Sequence, residues 1–341
     1  MILASEYWPF FEEDTTMNSF WRLLTLSIAV AGVALAGSVS AVQAQFPQKP
    51  ITIVAYMKPG GAADVDSRKF ALIAERLTGG KFIVKNKTGA GGLVAMKHVL
   101  SQPADGYLLM ATTKSQVFKI VTAKSDVNVE DFEWLAMNQS DPEAIITNVD
   151  LPINTWQQLV ADAKAKAAAG KKQIWVGPAA GGLDHVMAMK TWKAAGISSA
   201  KYIPFKGGKK AVIELLGGRS VAYVGNPRDT IGQPKLKVAA LARAERLPAF
   251  PNAPTFRELG IKGLDDEIMW RGFAMKSGAP ANVRKFWNDL FKKVSTDPEW
   301  VAHVKKSSID PVLHTHNKFL SIIKKDMAEV KVWAKGAGIL K

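Results

Sequence analysis

ITIVAYMKPGGAADVDSRKF, residues 51–70, reads as one structural sentence: an apolar strand, a loop of almost bare backbone, then a helix. Ile51, Ile53 and Val54 suit a pleated, buried surface. Pro59-Gly60-Gly61 breaks the strand, and Phe70, Ile73 and Leu77 recur at helical spacing until Gly79-Gly80 stops the helix. The grammar repeats at once in FIVKNKTGAGGLVAMKHVL, residues 82–100, with Gly89-Ala90-Gly91-Gly92 at the turn. A strand that passes into a helix through glycines aims backbone N–H groups beyond the sheet, with the positive helix end behind them. That arrangement holds anions, and ligands of open α/β sheets sit beyond the strand C-termini.

The pattern continues along the chain. Strands are predicted at 107–112, 173–176, 201–204, 221–224 and 237–241, and a short one at Trp270–Ala274, with helices between most of them. Thr155 caps an Ala-rich helix, and the loops 177–182 and 205–208 repeat the glycine turn. Three amphipathic helices, 281–295, 298–307 and 319–337, close the chain. The fold class expected is α/β: two lobes, each a mostly parallel sheet flanked by helices, with a ligand cleft between them. The first lobe is expected over 45–147 plus 270–341 and the second over 148–269.

Of 341 residues, 48% are hydrophobic and 22% charged, which excludes a disordered chain. With no cysteine, disulfides, thiolate metal sites and a lipoprotein anchor are excluded. Trp21-Arg22, the apolar run Leu23–Ala36 and the small residues up to Val42-Gln43-Ala44 read as a secretory signal, too short for a membrane span. The acidic stretch before Met17 does not suit a signal, so residues 1–44 are expected to be an upstream extension plus a leader starting at Met17. They hold Glu6, Glu12, Glu13, Asp14 and Arg22, so without them the net charge rises from +15 to +18. The lysines are dispersed and no nucleic-acid motif is present; the charge reads as a solvated basic surface that also steers anions. An exported, soluble monomer is the expectation.

Catalytic and cofactor signatures are weak. Val94 stands where a dinucleotide fingerprint wants its third glycine, and Gly207-Gly208-Lys209-Lys210 lacks the spacing and hydroxyl of a phosphate loop. His314-Thr315-His316 would place two imidazoles on one strand face, fewer ligands than zinc takes. No cofactor and no metal are expected. Asp184 and His185, adjacent on a helix, make a poor dyad. Trp270 at the lobe junction is a candidate hinge or cleft wall, while tryptophans 156, 175, 192, 287, 300 and 333 read as packing groups.

Taken in order, PGGAAD (59–64), KNKTGAGG (85–92), PADGYLLMAT (103–112), VGPAAGGLDHV (176–186), YIPFKGGKKAVIELLGGRSVAYVGN (202–226), RLPAFPNAPTFRELGI (246–261) and GFAMKSGAPANV (272–283) resemble the solute receptors of tripartite tricarboxylate transporters, the Bug or TctC-like family. The resemblance spans Phe46 to Ile339. It implies a two-lobed periplasmic binding fold that closes by a hinge on a small organic anion, and integral-membrane transporter subunits as partners. Carried over by position, the ligand contacts are Gly60, Gly61, Asp64, Ala90, Gly91, Gly92, Thr113 and Ser115 from the first lobe, and Ala179, Gly181, Gly182, His185, Phe205, Gly207 and Asn226 from the second. Three positions depart from the family: Lys58 stands for an uncharged residue, Asp184 for a small polar one, and Gly225 for an aspartate before Asn226. Lys58 and the missing acid make the cleft more positive and Asp184 offsets part of that, which points to a di- or tricarboxylate, a dicarboxylate first. Asp64 also suits a helix cap, and His185 a structural role. Two other classes share the fold: a sensor that presents its ligand to a membrane kinase, and an exported hydrolase, for which no nucleophile elbow or carboxylate pair with a base is present.

Overall fold

The computed structural model of the protein describes residues 46–123, 125–336 and 339–340; the expected leader and its start at Met17 lie outside them. The first strands are β1 (Ile51–Ala55), β2 (Phe82–Asn86), β3 (Leu108–Thr113) and β4 (Phe132–Pro142). Between them lie α1 (Ala62–Thr78), α2 (Leu93–Leu100) and α3 (Lys114–Thr122). The chain then builds β5 (Ala144–Asn148), α4 (Trp156–Ala168), β6 (Gln173–Pro178), α5 (Leu183–Ala195), β7 (Ala200–Phe205), α6 (Gly208–Leu216), β8 (Ala222–Gly225) and β9 (Leu236–Leu241). It ends in β10 (Ile268–Lys276), α7 (Ala281–Thr296), α8 (Pro298–Lys306), β11 (Asp310–Thr315) and α9 (His316–Gly336).

These strands make two sheets, ordered β11-β4-β10-β3-β1-β2 and β7-β6-β8-β5-β9. The α/β two-lobed architecture is as expected, and both sheets are mixed. β1 pairs in parallel with β2 and β3, but β10 runs antiparallel to β3 and β4, and β5 antiparallel to β8 and β9. Two strands absent from the sequence reading, β4 and β5, carry the first crossing between sheets at Glu143. That point lies just before the boundary between 147 and 148 expected from sequence. β10 returns the chain to the first sheet.

The first sheet is covered on both faces, as the apolar runs require. Ile51, Ile53, Phe70, Leu109, Phe273, Trp287 and Phe291 fill one side, and Val54, Met96, Met110, Trp134, Trp270 and Phe319 the other. Each such side chain contributes about 1.5–3 kcal/mol by leaving water. Trp270 is therefore a core residue and not a cleft wall: it is fully buried, crosses Phe319 edge-on, and donates from Nε1 to Asp326 Oδ2 at 2.6 Å. His316 opens α9, so the two imidazoles of 314–316 do not share a strand; its Nδ1 lies 3.2 Å from the Trp134 carbonyl. Among the described residues no group of three or more His, Asp or Glu is placed to hold a metal, and no helix is long and apolar enough to cross a membrane.

Candidate functional site

The parallel register decides where the loops emerge. Ala55 pairs with Asn86 and Ala111, so the loops after β1, β2 and β3 leave the same end of the first sheet. Pro178 pairs with Phe205 and Val176 with Tyr223, so those after β6, β7 and β8 leave one end of the second. Every candidate contact residue lies on or beside one of these six loops. The sequence had no means of placing Asp141, Glu143 and Arg271 among them.

In the first lobe the loops brace one another. Gly60 N–H donates to Asp64 Oδ2 at 2.9 Å, while Asp64 Oδ1 accepts from Arg68 Nε and Asn86 Nδ2. Asp64 thus holds the first loop onto the second, and Gly61 serves as the N-cap of α1. Burial pushes the Asp64 carboxyl up, but these bonds more than offset it and leave it below the usual carboxylate range. The second loop winds into one 3₁₀ turn, with positive φ at Gly89, Ala90, Gly91 and Gly92. Successive amides in such conformations form an anion-binding concavity. Gly92 is pressed against α3: a Cβ there would stand 2.4 Å from Gln116 Cγ. Thr113 ends β3, its N–H donating to Gln116 Oε1 and its hydroxyl lying 2.9 Å from Tyr56 Oη. Lys58, Gly60, Ala90 and Gly91 are exposed on the rim.

The second lobe meets α3 directly. Leu183 N–H donates to Ser115 Oγ at 3.1 Å, Thr122 Oγ1 to the Gly181 carbonyl at 3.1 Å, and Lys119 Nζ to the Ala180 carbonyl at 2.8 Å. The loop carrying Ala179, Gly181 and Gly182 is thereby laid along the first lobe. Gly181 N–H donates to His185 Nδ1 at 3.1 Å, and the imidazole stacks on Tyr202 at 4.6 Å between centroids. Burial, with Lys119 nearby, lowers the His185 pKa and keeps the ring neutral and accepting. Phe205 accepts from Ala179 N–H through its carbonyl, and Gly207 caps α6. A further tie runs from Arg228, beyond β8, to Asp66 of α1 at 3.4 Å, where Asp66 Oδ1 also meets His303 Nε2 at 2.9 Å.

Asn226 organises the crossing. Its Nδ2 donates to the Pro142 carbonyl and to Glu143 Oε1, both at 3.0 Å, while its Oδ1 lies 3.5 Å from Arg271 Nη2. Arg271 Nη2 donates to Asp141 Oδ2 at 2.6 Å. A Cβ at Gly225 would meet the Tyr223 hydroxyl at 2.4 Å, so no larger side chain fits there while Tyr223 donates to Asp229 Oδ2 at 2.7 Å. The interior holds more acid than Lys58 and Gly225 led us to expect. Burial raises Asp141 to about 6, with Arg271 opposing it, and raises Asp184 to about 7, with Asp229 adding to it. Glu143 is pushed well up by burial and by the charges of Asp184 and Asp141. Burial thus biases Asp184 and Glu143 toward their protonated forms.

The family model described as the tripartite tricarboxylate transporter family receptor matches residues 67–338. A protein encoded in the gbd 5′ region of Cupriavidus necator is 27% identical over 321 residues, covering 93% of this chain and 96% of that one. Among solved structures, MatC from Rhodopseudomonas palustris with bound malate superposes with a TM-score of 0.73 at 17% identity, covering 84% of this chain and 99% of that one. An R. palustris protein with adipate gives 0.76 at 19% identity, covering 86% and 99%. At such identity these two likenesses speak for the fold.

Proposed function

This chain belongs to the tripartite tricarboxylate transporter receptor family, and from that premise we propose that it is a periplasmic receptor for a small dicarboxylate, exported by its leader, that delivers the ligand to a membrane transporter. The observation that carries the reading is that six strand-end loops, two of them glycine turns, leave the facing ends of the two sheets, with the Ala179–Gly182 loop bonded to α3 of the first lobe. The malate and adipate held by the two R. palustris neighbours are dicarboxylates and support the ligand class. Binding proceeds by hinge closure: the ligand docks on the first-lobe amides, and the Ala179–Gly182 loop, Asn226 and Arg228 stabilise the closed form. The hinge is Glu143 together with the stretch that leads into β10, and Arg271 and Asn226 pin it. No step of chemistry is assigned to the site.

The buried acids favour one second reading, a ligand that adds an ammonium group to its carboxylates. A thermal-shift screen of mono-, di- and tricarboxylates, amino dicarboxylates and neutral analogues separates the two. A specific ligand at a hundredfold excess over Kd stabilises by about 2.7 kcal/mol. Stabilisation by dicarboxylates alone is expected; a response confined to neutral compounds overturns the anion reading, and one confined to amino dicarboxylates selects the second.

A further inference from the structure

α5 faces both lobes. On one side, Met187 and Ala188 pack into the core of the second lobe. The opposite stripe, Leu183, Val186, Met189, Lys190 and Lys193, recurs at helical spacing and meets the first lobe. Leu183 and Val186 are buried with Phe118 of α3, Met269 of β10 and Val330 of α9. Lys193 Nζ lies 5.5 Å above the Trp333 ring of α9. Lys190 is buried and bonds both to Glu267, the residue before β10, and to Glu329 of α9. One side chain of the second lobe thus holds two carboxylates, one from the hinge stretch and one from the first lobe. Alongside, Lys114 meets Asp326 Oδ1 at 3.0 Å and feels the charges of Glu267 and Glu329, joining α3 to α9.

Buried ion pairs add little net stability, but they hold one register, and removing one partner strands the other charge. Glu267 and Met269 stand where the chain returns to the first sheet, and a rotation between lobes displaces atoms least beside such a crossing. The ties at the other end of α5 are of another kind. Single hydrogen bonds hold its loop to α3 through Lys119 and Thr122, and Arg228 reaches Asp66 at 3.4 Å. From Lys190 to Leu183 the helix makes an arm of about 10 Å. We propose that Lys190 is the pin on which the second lobe turns, which rests on the hinged-receptor reading above. Its bonds to Glu267 and Glu329 persist in the open and closed forms. α5 swings from them and carries the Ala179–Gly182 loop onto α3 as the cleft closes. Lys190 is therefore a positioning residue that acts through the helix on Asp184 and His185 at its far end.

The chain has no cysteine, so paired spin labels can be placed without background. Labels at Leu72→Cys and Ile213→Cys, exposed on α1 and α6, report the separation of the lobes. Labels at Ala194→Cys and Val332→Cys, exposed on α5 and α9, report the pin. Arg228→Ala with Lys119→Ala removes two interlobe ties and biases the free protein open, so no ligand is needed. The lobe pair is expected to shift by more than about 2 Å while the pin pair keeps its distance. A pin pair that shifts with the lobe pair overturns the pin and leaves the hinge standing. A lobe pair that keeps one distance denies the motion and takes the hinge reading with it. Lys190→Met is expected to broaden both distance distributions well below its own Tm, and Lys190→Arg, which keeps the charge, to narrow them again. Glu329→Gln leaves Lys190 on Glu267 and gives a milder broadening in a protein that keeps its buried cation paired. Distributions as narrow as wild type in Lys190→Met and Glu329→Gln, whatever their Tm, overturn the positioning role.

Discussion

Asp184→Asn tests the most consequential reading of the site, that its floor is charge-strained above neutral pH. Asp184 sits in the first turn of α5, 2% exposed, among Glu143, Asp141, Asp229, Arg271 and the rings of Tyr56, Tyr202 and Tyr223, and burial lifts it from 3.8 to about 7. A carboxyl whose folded pKa exceeds its unfolded one binds a proton more tightly when folded, so its contribution to stability falls as pH rises between the two values. Each pH unit in that window costs about 1.4 kcal/mol, so roughly 4 kcal/mol accumulates from pH 4 to 7 and nothing further above it. Asp66 and Asp64 titrate with the opposite sign, held below their usual values against burial by His303 and Arg228 and by Arg68 and Gly60 respectively, so the quantity to follow is a difference between proteins. Urea denaturation of wild type and Asp184→Asn at half-unit steps from pH 4 to 8 measures it. The variant is expected to match wild type at pH 4 and to exceed it increasingly up to pH 7. Parallel curves refute the reasoning. The same pair reports on the ligand: affinity for a dicarboxylate falls in wild type as pH passes 7 and stays level in the variant, whereas a ligand carrying an ammonium group weakens in the variant at every pH above 7.

Gly92→Ala is expected to lose about 2–3 kcal/mol in a chemical melt, since φ is +102° and the new Cβ drives Gln116 off the Thr113 amide. Gly60→Ala, at φ +73° with nothing within 4 Å, loses about 1 kcal/mol, and equal losses would show that the α3 contact is irrelevant. Arg228→Ala removes the tie to Asp66 while leaving Asp66 on His303, so about three- to tenfold weaker binding and a lowered Tm are expected. Calorimetry paired with small-angle scattering of the free protein checks it, and unchanged affinity would remove the pair from closure. Lys58→Ala, an exposed rim lysine, should weaken a dianion more than a monoanion, by less than about tenfold, with the difference vanishing at high salt. Equal effects on both ligands would place Lys58 outside the site.

What was legible in the chain follows the range of the forces that fix it. β1, α1 and the glycine turns are dictated within twenty residues, by β-branched runs, helical spacing and backbone that only glycine adopts easily. α3, absent from the sequence reading, is equally local, since Thr113-Lys114-Ser115-Gln116 carries the spacing of a capping box. β4 is a different case. Asn138, Gln139, Ser140 and Asp141 are a polar run with no apolar alternation, yet three of them are buried within the first sheet. Their partner is Arg271, 130 residues away from Asp141, and no window along the chain contains both. The same distance explains why the site looked more positive from its motifs than it is. Motifs report the loops, where Lys58 is visible and Gly225 replaces an acid, while Asp141 and Glu143 enter from the crossing strands. In the receptor proposed above, specificity has two sources: backbone amides held by local turns, and buried acids assembled by topology. A change of ligand within such a fold needs no change in its glycine loops, and it is at Asp184, Glu143 and Asn226 that we would look for one.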